Sequence, residues 1–521
     1  MATSVFAQEG LQKVRIDKFE GGMVSNYLSD ILQPNQCASM VNVVLDRIGR
    51  LSKRKGQALF NEDVGSTAFR GIGRFDPDAT TSYLVAASGA DVLRSIASAT
   101  SWTIANPTSG LTVAQDTAFV QANDLLFVLN GYDPTCWYNG SIWTKAWAYP
   151  SSPPTATTGA WLRNYLFLAG ATTESDWLYF SNNLEPTVFD ASDVIKINTG
   201  DGQAIQRLMP YRLNELIVYK ERSIFVLDIT GSTTADWTVQ PISTVVGTIA
   251  PRSVVSLGND QWFLSNEPIA IRSLKRTEFD KILVDIISEP IQDIFDRTGD
   301  LQINLTYIDK AAAVLFDNKY IIAFPTGTST VNNTVAVHDF FSNAWYLITG
   351  WYPAAWVAYN NSLFYIDAND GRVIECFSGT TGDWGTDQTI IDSASSPSSG
   401  IEFVYMSKAL TFDHPENFKQ ADALECEFEP TGDYDAEVYI NLDYNGWQRV
   451  GTTNLAGNST TLPLTLPETL NESGVARETF HLQNYGEFKK INVMIRQAAT
   501  GESVILQRAT VFGRPKKWRR E

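Results

Sequence analysis

The chain has 521 residues with 58 Asp/Glu against 40 Lys/Arg, a formal net charge of −18 that repels nucleic acid wherever it faces it. With 44% apolar and 19% charged residues it is a folded globular chain, and its 14 Trp, 20 Tyr and 27 Phe favour half-buried sheet surfaces. Four scattered cysteines (Cys37, Cys136, Cys376, Cys426) form no Cys-x-x-Cys pair, which argues against a zinc ribbon or a disulfide framework and fits a reducing cytoplasm.

The opening MATSVFAQEGLQKVRIDKF lacks the basic-then-apolar order of a signal peptide. No apolar run approaches the ~18 residues needed to span a bilayer, so no membrane segment is expected. Residues 1–60 read as an N-terminal docking segment. Gly21-Gly22 come first, and Pro34 opens one short helix through Cys37, Ala38, Met40 and Val41. A strand then covers Val41–Leu45 and a turn Asp46–Gly49. Basic residues gather at Arg47, Arg50, Lys53, Arg54 and Lys55.

From residue 61 to 377 one unit recurs: an apolar run, a tight polar turn and a second apolar run. Leu216-Ile217-Val218-Tyr219 followed by Ile224-Phe225-Val226-Leu227 reads as two strands of a hairpin reversed at Lys220-Glu221-Arg222. Similar pairs begin near Tyr83, Leu125, Tyr165, Asp260, Ala311 and Ser362, at intervals of about 40–50 residues. Many are followed by a Trp-bearing strand (Trp102, Trp143, Trp237, Trp345). Three to four strands per unit at that period predict an all-β fold, a β-propeller of about seven blades within a range of six to eight. A sandwich gives no reason for so many similar units in succession. The stretch Phe279–Gln302 has helical spacing of Ile282, Ile286, Ile287 and Ile291 interrupted by Pro290, which predicts two short helices in a loop.

Residues 378–400, rich in Ser, Thr, Gly and Asp, read as a linker or long loop. Alternating strands over 401–512 predict a small β-sandwich. Residues 513–521 form a basic tail with Arg514, Lys516, Lys517, Arg519 and Arg520. The charge is therefore uneven. Residues 1–60 hold eight Lys/Arg against five Asp/Glu, residues 508–521 six against one, and the body between 26 against 52.

Catalytic chemistry finds little support. Only three histidines exist (His338, His414, His481), none beside a recognisable Ser or Cys nucleophile, and they are too scattered for a His-based metal site. Asp367-Ala-Asn369-Asp370-Gly371 puts Gly where the fifth calcium ligand belongs, so it reads as a hairpin turn. Phosphate-binding Gly-x-x-x-x-Gly-Lys loops and Ser-x-Asp-x-Gly-x-x-Trp repeats are absent. No catalytic, cofactor or metal residue is assigned, and a non-enzyme is expected. Carboxylates are plentiful enough to leave a glycosidase pair open. The blade Trp residues read as core packing, with a sugar-stacking face as the alternative.

The serial order of features resembles the β-propeller tail proteins of tailed bacteriophages, including the nozzle (tail tubular) and packaged-DNA-stabilisation hub proteins of short-tailed phages. The resemblance lies in FEGGMVSNYLSDILQPNQCASMVNVVLDRIGRLSKRKG, LNGYDPTCWYNGSIWT, RNYLFLAGATTESDWLYFSNNLEP, NELIVYKERSIFVLDITG and SVVSLGNDQWFLSNEPIAI, across about residues 17–376. It lacks the long insertions between blades of larger nozzle proteins. The resemblance implies a structural virion protein, assembled in the host cytoplasm into a ring of commonly six subunits. That ring would stack beneath the portal and adaptor and surround the path of double-stranded DNA. An acidic channel wall would let DNA slide, and the basic residues at 47–55 and 514–520 would dock neighbouring subunits. The alternative is a carbohydrate-binding or depolymerising propeller that engages the host surface.

Overall fold

A computed structural model describes residues 11–45, 49–60, 69–96, 101–106, 110–112, 115–145, 154–231, 233–276, 282–369, 371–378, 382–383, 399–456, 475–499 and 503–516. Among the described residues the regular elements are almost all β-strands, and the chain forms two compact units. One holds 59–335 and 351–376; the other gathers 1–58, 336–350 and 377–521.

The unit of residues 59–335 and 351–376 is a β-propeller arrangement. Five four-stranded antiparallel sheets follow in chain order over 69–104, 118–144, 158–196, 205–243 and 255–286. A sixth, closing sheet joins Pro353–Tyr359, Ser362–Asp367 and Val373–Cys376 to Gln57–Leu59 from before the first sheet. Closing a ring with a strand from the other end of the chain ties first and last sheets together. Phe60 extends that pairing by donating its N–H to the Val373 carbonyl at 2.9 Å. Between the fifth and closing sheets in sequence lies the hairpin Ala312–Phe316 with Lys319–Phe324.

The second strand of each sheet carries an unbroken apolar run because neighbouring sheets cover both its faces, as in buried parallel sheets. In Glu215–Lys220, Leu216 and Val218 enter the core shared with the third sheet. Ile217 and Tyr219 enter the core shared with the fifth. All four are 0% exposed, so the period-two reading holds for direction but both directions are interior. Equivalent cores lie between the first and second sheets and between the second and third. The last packs Tyr359, Phe364 and Ile366 of the closing sheet on Phe69, Leu84 and Leu93 of the first. Each fully buried Leu, Ile or Val side chain contributes about 1.5–3 kcal/mol.

Short turns set the register. Arg163-Asn164, Asp317-Asn318 and Asn360-Asn361 each join a leading strand to the second strand with positive φ at both residues. That geometry matches the right-handed twist of paired strands, and Asn and Asp tolerate it best. At Gly71, an added Cβ would stand 2.2 Å from the Thr117 carbonyl oxygen, so the close approach of the first sheet to the run into the second requires glycine.

The unit of 1–58, 336–350 and 377–521 contains two large sheets among its described residues. One runs Val43–Leu45, Leu51–Lys53, Ile505–Pro515, Lys419–Phe428 and Ala476–His481, with Gln12–Ile16 beside Ile505–Pro515. The other includes Ala344–Thr349, Cys37–Val41, Phe403–Ser407, Ile491–Gln497, Asp435–Leu442 and Trp447–Asn454. Along Asp435–Leu442 burial alternates strictly, which is the pattern of a strand with one wet face.

Three local readings are corrected. Cys37–Val41 is a strand, not a helix: it pairs with Phe403–Ser407, and Pro34 sits in the turn closed by Gln36 N–H to the Gln33 carbonyl at 3.0 Å. A long-range partner overrides the local Pro signal. Ile282–Ile286 is likewise a strand, the outer edge of the fifth sheet, paired from Arg272↔Ile286 to Arg276↔Ile282. Pro290 does not interrupt a helix but opens one, leading the turn Glu289–Ile291 into Gln292–Phe295. The basic tail begins later than residue 513, because Ile505–Pro515 pairs with Lys419–Phe428 as far as Pro515. Within 378–400 the described pairing is Gly382–Asp383 with Ser399–Gly400.

A buried ion pair pins the fourth sheet. Lys220, 0% exposed, donates to Asp201 Oδ1 and Oδ2 at 2.7 and 2.8 Å and to the Ile197 carbonyl at 3.0 Å. Burial pushes the Asp201 carboxyl up, but the hydrogen bonds from Lys220, Gln203 and Asn198 outweigh it and hold the group below its ordinary value. A depressed carboxylate stabilises the fold above its unfolded pKa, about 3.9, and that stability is lost as pH falls through the folded value. Asp201→Ala should therefore cost about 3 kcal/mol at pH 7 by urea unfolding, and the gap to the parent should narrow below pH ~4. An unchanged gap at pH 3 would contradict the assignment.

Candidate functional site

Of the ten basic residues expected to dock neighbouring subunits, the six that are described do not form one exposed patch. Arg47, Lys517, Arg519 and Arg520 lie outside the described residues. Arg54 is 2% exposed and belongs to the interior of its unit. Its Nε donates to Asn42 Oδ1 at 2.9 Å, and its Nη atoms donate to the Lys55 and Thr349 carbonyls at 3.1 and 3.0 Å. Asn42, itself buried with φ +56°, donates to Thr349 Oγ1 and the Glu402 carbonyl at 2.9 and 2.8 Å. Lys53 is also buried, with Nζ on Gln497 Oε1 at 2.6 Å and the Ala499 carbonyl at 3.1 Å. Both residues are structural rather than docking groups. Sequence shows a run of charge; it does not show that the strand Leu51–Lys53 turns its basic neighbours toward buried carbonyls.

The rest stay at the surface or half-buried. Arg50 pairs with Glu429, Lys516 with Glu487, and Arg514 with Asp422 at 2.8 Å, while Lys55 is exposed. Exposed pairs of this kind contribute about 0–1 kcal/mol and leave the side chains free to exchange partners.

A feature the sequence reading missed is a cleft of about 330 Å³ on the third sheet, lined by Glu174, Trp177, Tyr179, Asp190 and Asp193 among others. The segments ESDWLYF and FDASD carry it, and their mix of acids and aromatics was the available signal. Asp190 N–H donates to Asp193 Oδ2 at 3.1 Å, and Asp193 N–H to the Asp190 carbonyl at 2.9 Å. Burial, with the charge of Asp190 nearby, pushes the Asp193 carboxyl up even against its backbone hydrogen bond. Lys196 Nζ sits 4.5 Å above the Trp177 ring. Aromatic faces beside carboxylate acceptors suit polyhydroxylated ligands, whose C–H faces stack and whose hydroxyls donate.

The blade tryptophans pack as core. Trp237 packs edge-on to Tyr165 and tilted against Phe180 with ring centroids 5.0 Å away in each case, and Trp102 lies against Phe60 and Phe69. Trp143 and Trp345 are buried. His338 is buried against Trp345 at 4.8 Å; burial pushes it down to about 4, against the Asn343 hydrogen bond and Asp339, so it stays neutral at pH 7. Asp367 caps a hairpin turn, accepting from Asn369 N–H through Oδ1 and from Gly371 N–H through its carbonyl, both at 2.8 Å. All four cysteines are buried, and burial pushes the thiols of Cys37, Cys136 and Cys426 up. Among the described residues no group of His, Cys, Asp and Glu could hold a metal ion, and no helix is long and apolar enough to cross a membrane.

No protein-family model matches this chain, and no curated protein matches it. Among solved structures it is similar to the computationally designed Ika8 protein, at 11% identity and a TM-score of 0.37, over 62% of this chain and 99% of that one. YCF48 bound to D1 peptide is similar at 10% identity and a TM-score of 0.39, over 65% of this chain and 97% of that one. The WD40 domain of Neurospora crassa Pan2 gives 8% identity and a TM-score of 0.37, over 62% and 95%. These are likenesses of fold alone.

The interior role of Arg54 is open to a direct check. Arg54→Met strands the Asn42 and Thr349 acceptors and should lower stability by about 3 kcal/mol in denaturant unfolding. Lys55→Ala at the exposed neighbour should stay within about 0.5 kcal/mol.

Proposed function

We propose that this chain is a structural virion protein of a phage tail and not an enzyme. In this reading six copies form a ring that extends the DNA-ejection channel below the portal and adaptor. The observation that carries it is how charge divides between the units. The propeller unit holds 32 Asp/Glu against 19 Lys/Arg, while the other holds 26 against 21, including both basic ends of the chain. Acidic walls repel phosphate and let DNA pass without adhering, and a near-balanced unit can meet its neighbours without mutual repulsion. The serial resemblance to phage tail propellers adds to it, as do Leu28 and Ile31, 72% and 62% exposed in the unit that carries the chain ends. Large apolar side chains held in water are more common where another subunit covers them.

The finer architecture belongs to the same reading. Seven blades are supported by the leading strands Phe69–Phe75, Ala118–Ala122, Thr158–Leu162, Ile205–Tyr211, Val255–Ser256, Ala312–Phe316 and Pro353–Tyr359. Each is a neighbour of the next, and the last is a neighbour of the first. The hairpin that starts at Ala312 then begins the sixth blade. The two large sheets of the other unit we read as the β-sandwich, with strands from residues 12–53 added to those beyond 401.

The cleft beside Trp177 favours a second reading, a carbohydrate-binding propeller. The two separate cleanly. Negative-stain electron microscopy with mass photometry of the purified protein should show annular particles of six copies, and Leu28→Asp with Ile31→Asp should shift them to monomers of unchanged circular dichroism. A monomeric parent that binds a glycan array, with binding lost in Trp177→Ala, would establish the second reading and remove the first.

A further inference from the structure

One arginine spans the centre of the propeller. Arg252 lies in the turn Pro251–Ser253 that feeds the fifth sheet. Its Nη1 donates to the Ala354 carbonyl on the closing sheet at 3.2 Å, and its Nη2 to the Arg70 carbonyl on the first sheet at 3.4 Å. Nη2 also pairs with Asp116, just ahead of the second sheet, at 3.3 Å. A side chain that starts on the fifth sheet reaches these three places only by crossing the axis, near the N-terminal ends of the leading strands.

Beside it stands Arg207, on the leading strand Ile205–Tyr211 of the fourth sheet. The side chain as a whole is partly accessible, yet its Nε is buried and has no hydrogen-bond partner among the described residues. Among the described residues Arg207 makes no ion pair. Burial pushes its guanidinium down to about 10, and the like charge of Arg252 adds to the shift. It stays charged at neutral pH, so the fold carries a half-buried cation near a second cation, with the exposed carboxylate of Asp116 already engaged by Arg252. A charge that is partly desolvated and lacks a counter-charge is costly, and stable proteins rarely keep one without a use.

We propose that the axial mouth between Arg207 and Arg252 is a binding site for a small oxyanion of the phosphate or carboxylate kind. An anion there would accept from the Arg207 Nε–H and guanidinium fork and would separate the two like charges. Planar guanidinium forks match the paired oxygens of both anion classes. The site does not depend on the tail reading: a ring subunit and a lone propeller would carry it equally.

Thermal unfolding of the full chain with inorganic phosphate, sulfate or acetate, each against chloride at equal ionic strength, tests it. At least one oxyanion should raise Tm by roughly 2 °C or more at saturation, saturably, where chloride does not. The anion that works identifies the class. In Arg207→Met the anion-dependent rise should vanish while the anion-free Tm holds or increases, because an uncompensated charge has been removed. Asp116→Asn, at an exposed position, frees Arg252 and should tighten the apparent Kd about fivefold, so a poorly folding Arg207 variant leaves the test intact. Equal responses to chloride and oxyanions, or an anion effect unchanged in both variants, would overturn the proposal.

Discussion

A sheet that is apolar on both faces needs a neighbour on each side, and a row of such sheets has no natural end. Closing the row into a ring is the arrangement that gives every face a partner, and the rest of the propeller follows from that constraint. Leu216 and Val218 turn one way and Ile217 and Tyr219 the other, all fully buried. The sheet therefore cannot sit at an edge. The closing step is chemically specific: Gln57–Leu59 joins the closing sheet, Phe60 bonds to Val373, and Phe364 packs onto Leu84 and Leu93. Hydrogen bonding and apolar burial thus seal the same seam, so opening it would expose a ladder and a core together.

The same constraint explains how much could be read from sequence. Repetition is a property of the chain itself, so the recurrence from Tyr83 to Ser362 and the all-β class were legible. The turn dipeptides Arg163-Asn164, Asp317-Asn318 and Asn360-Asn361 follow local chemistry and were equally available. What depended on distant partners was not. Cys37–Val41 looks helical beside Pro34, but Phe403–Ser407 makes it a strand. Ile282 and Ile286 match a helical spacing, yet Arg272–Arg276 pairs with them residue for residue.

Charge was the least legible quantity. A basic run at residues 47–55 reads as a surface, but burial is decided by what other segments bring. Three separated stretches, around Asn42, Thr349 and Glu402, supply the acceptors and donors that draw Arg54 inside. The left-handed conformation of Asn42 turns both its side-chain oxygen and its amide into that node. The cleft on the third sheet was obscured in the opposite way. Its carboxylates and aromatics are visible in sequence, but only the loop at Asp190–Asp193 folding back against Trp177 and Tyr179 makes them one surface.

Two arginines, one buried and one half-buried, show how interior chemistry separates structure from function. Arg54 donates to acceptors through Nε and both Nη atoms, and its desolvation is offset by the hydrogen bonds that hold three segments together. Removing it should weaken the fold and nothing else. Among the described residues the Arg207 Nε has no such compensation, and Met209 two residues along the strand packs on the core shared with the fifth sheet with an apolar side chain. A substitution to Met would satisfy the sheet without the unpaired charge. The cation is thus a burden on folding that the fold does not need, and it stands at the axis, where leading strands of different sheets converge. Function is the remaining reason for it to be there, and an anion is the ligand its chemistry selects.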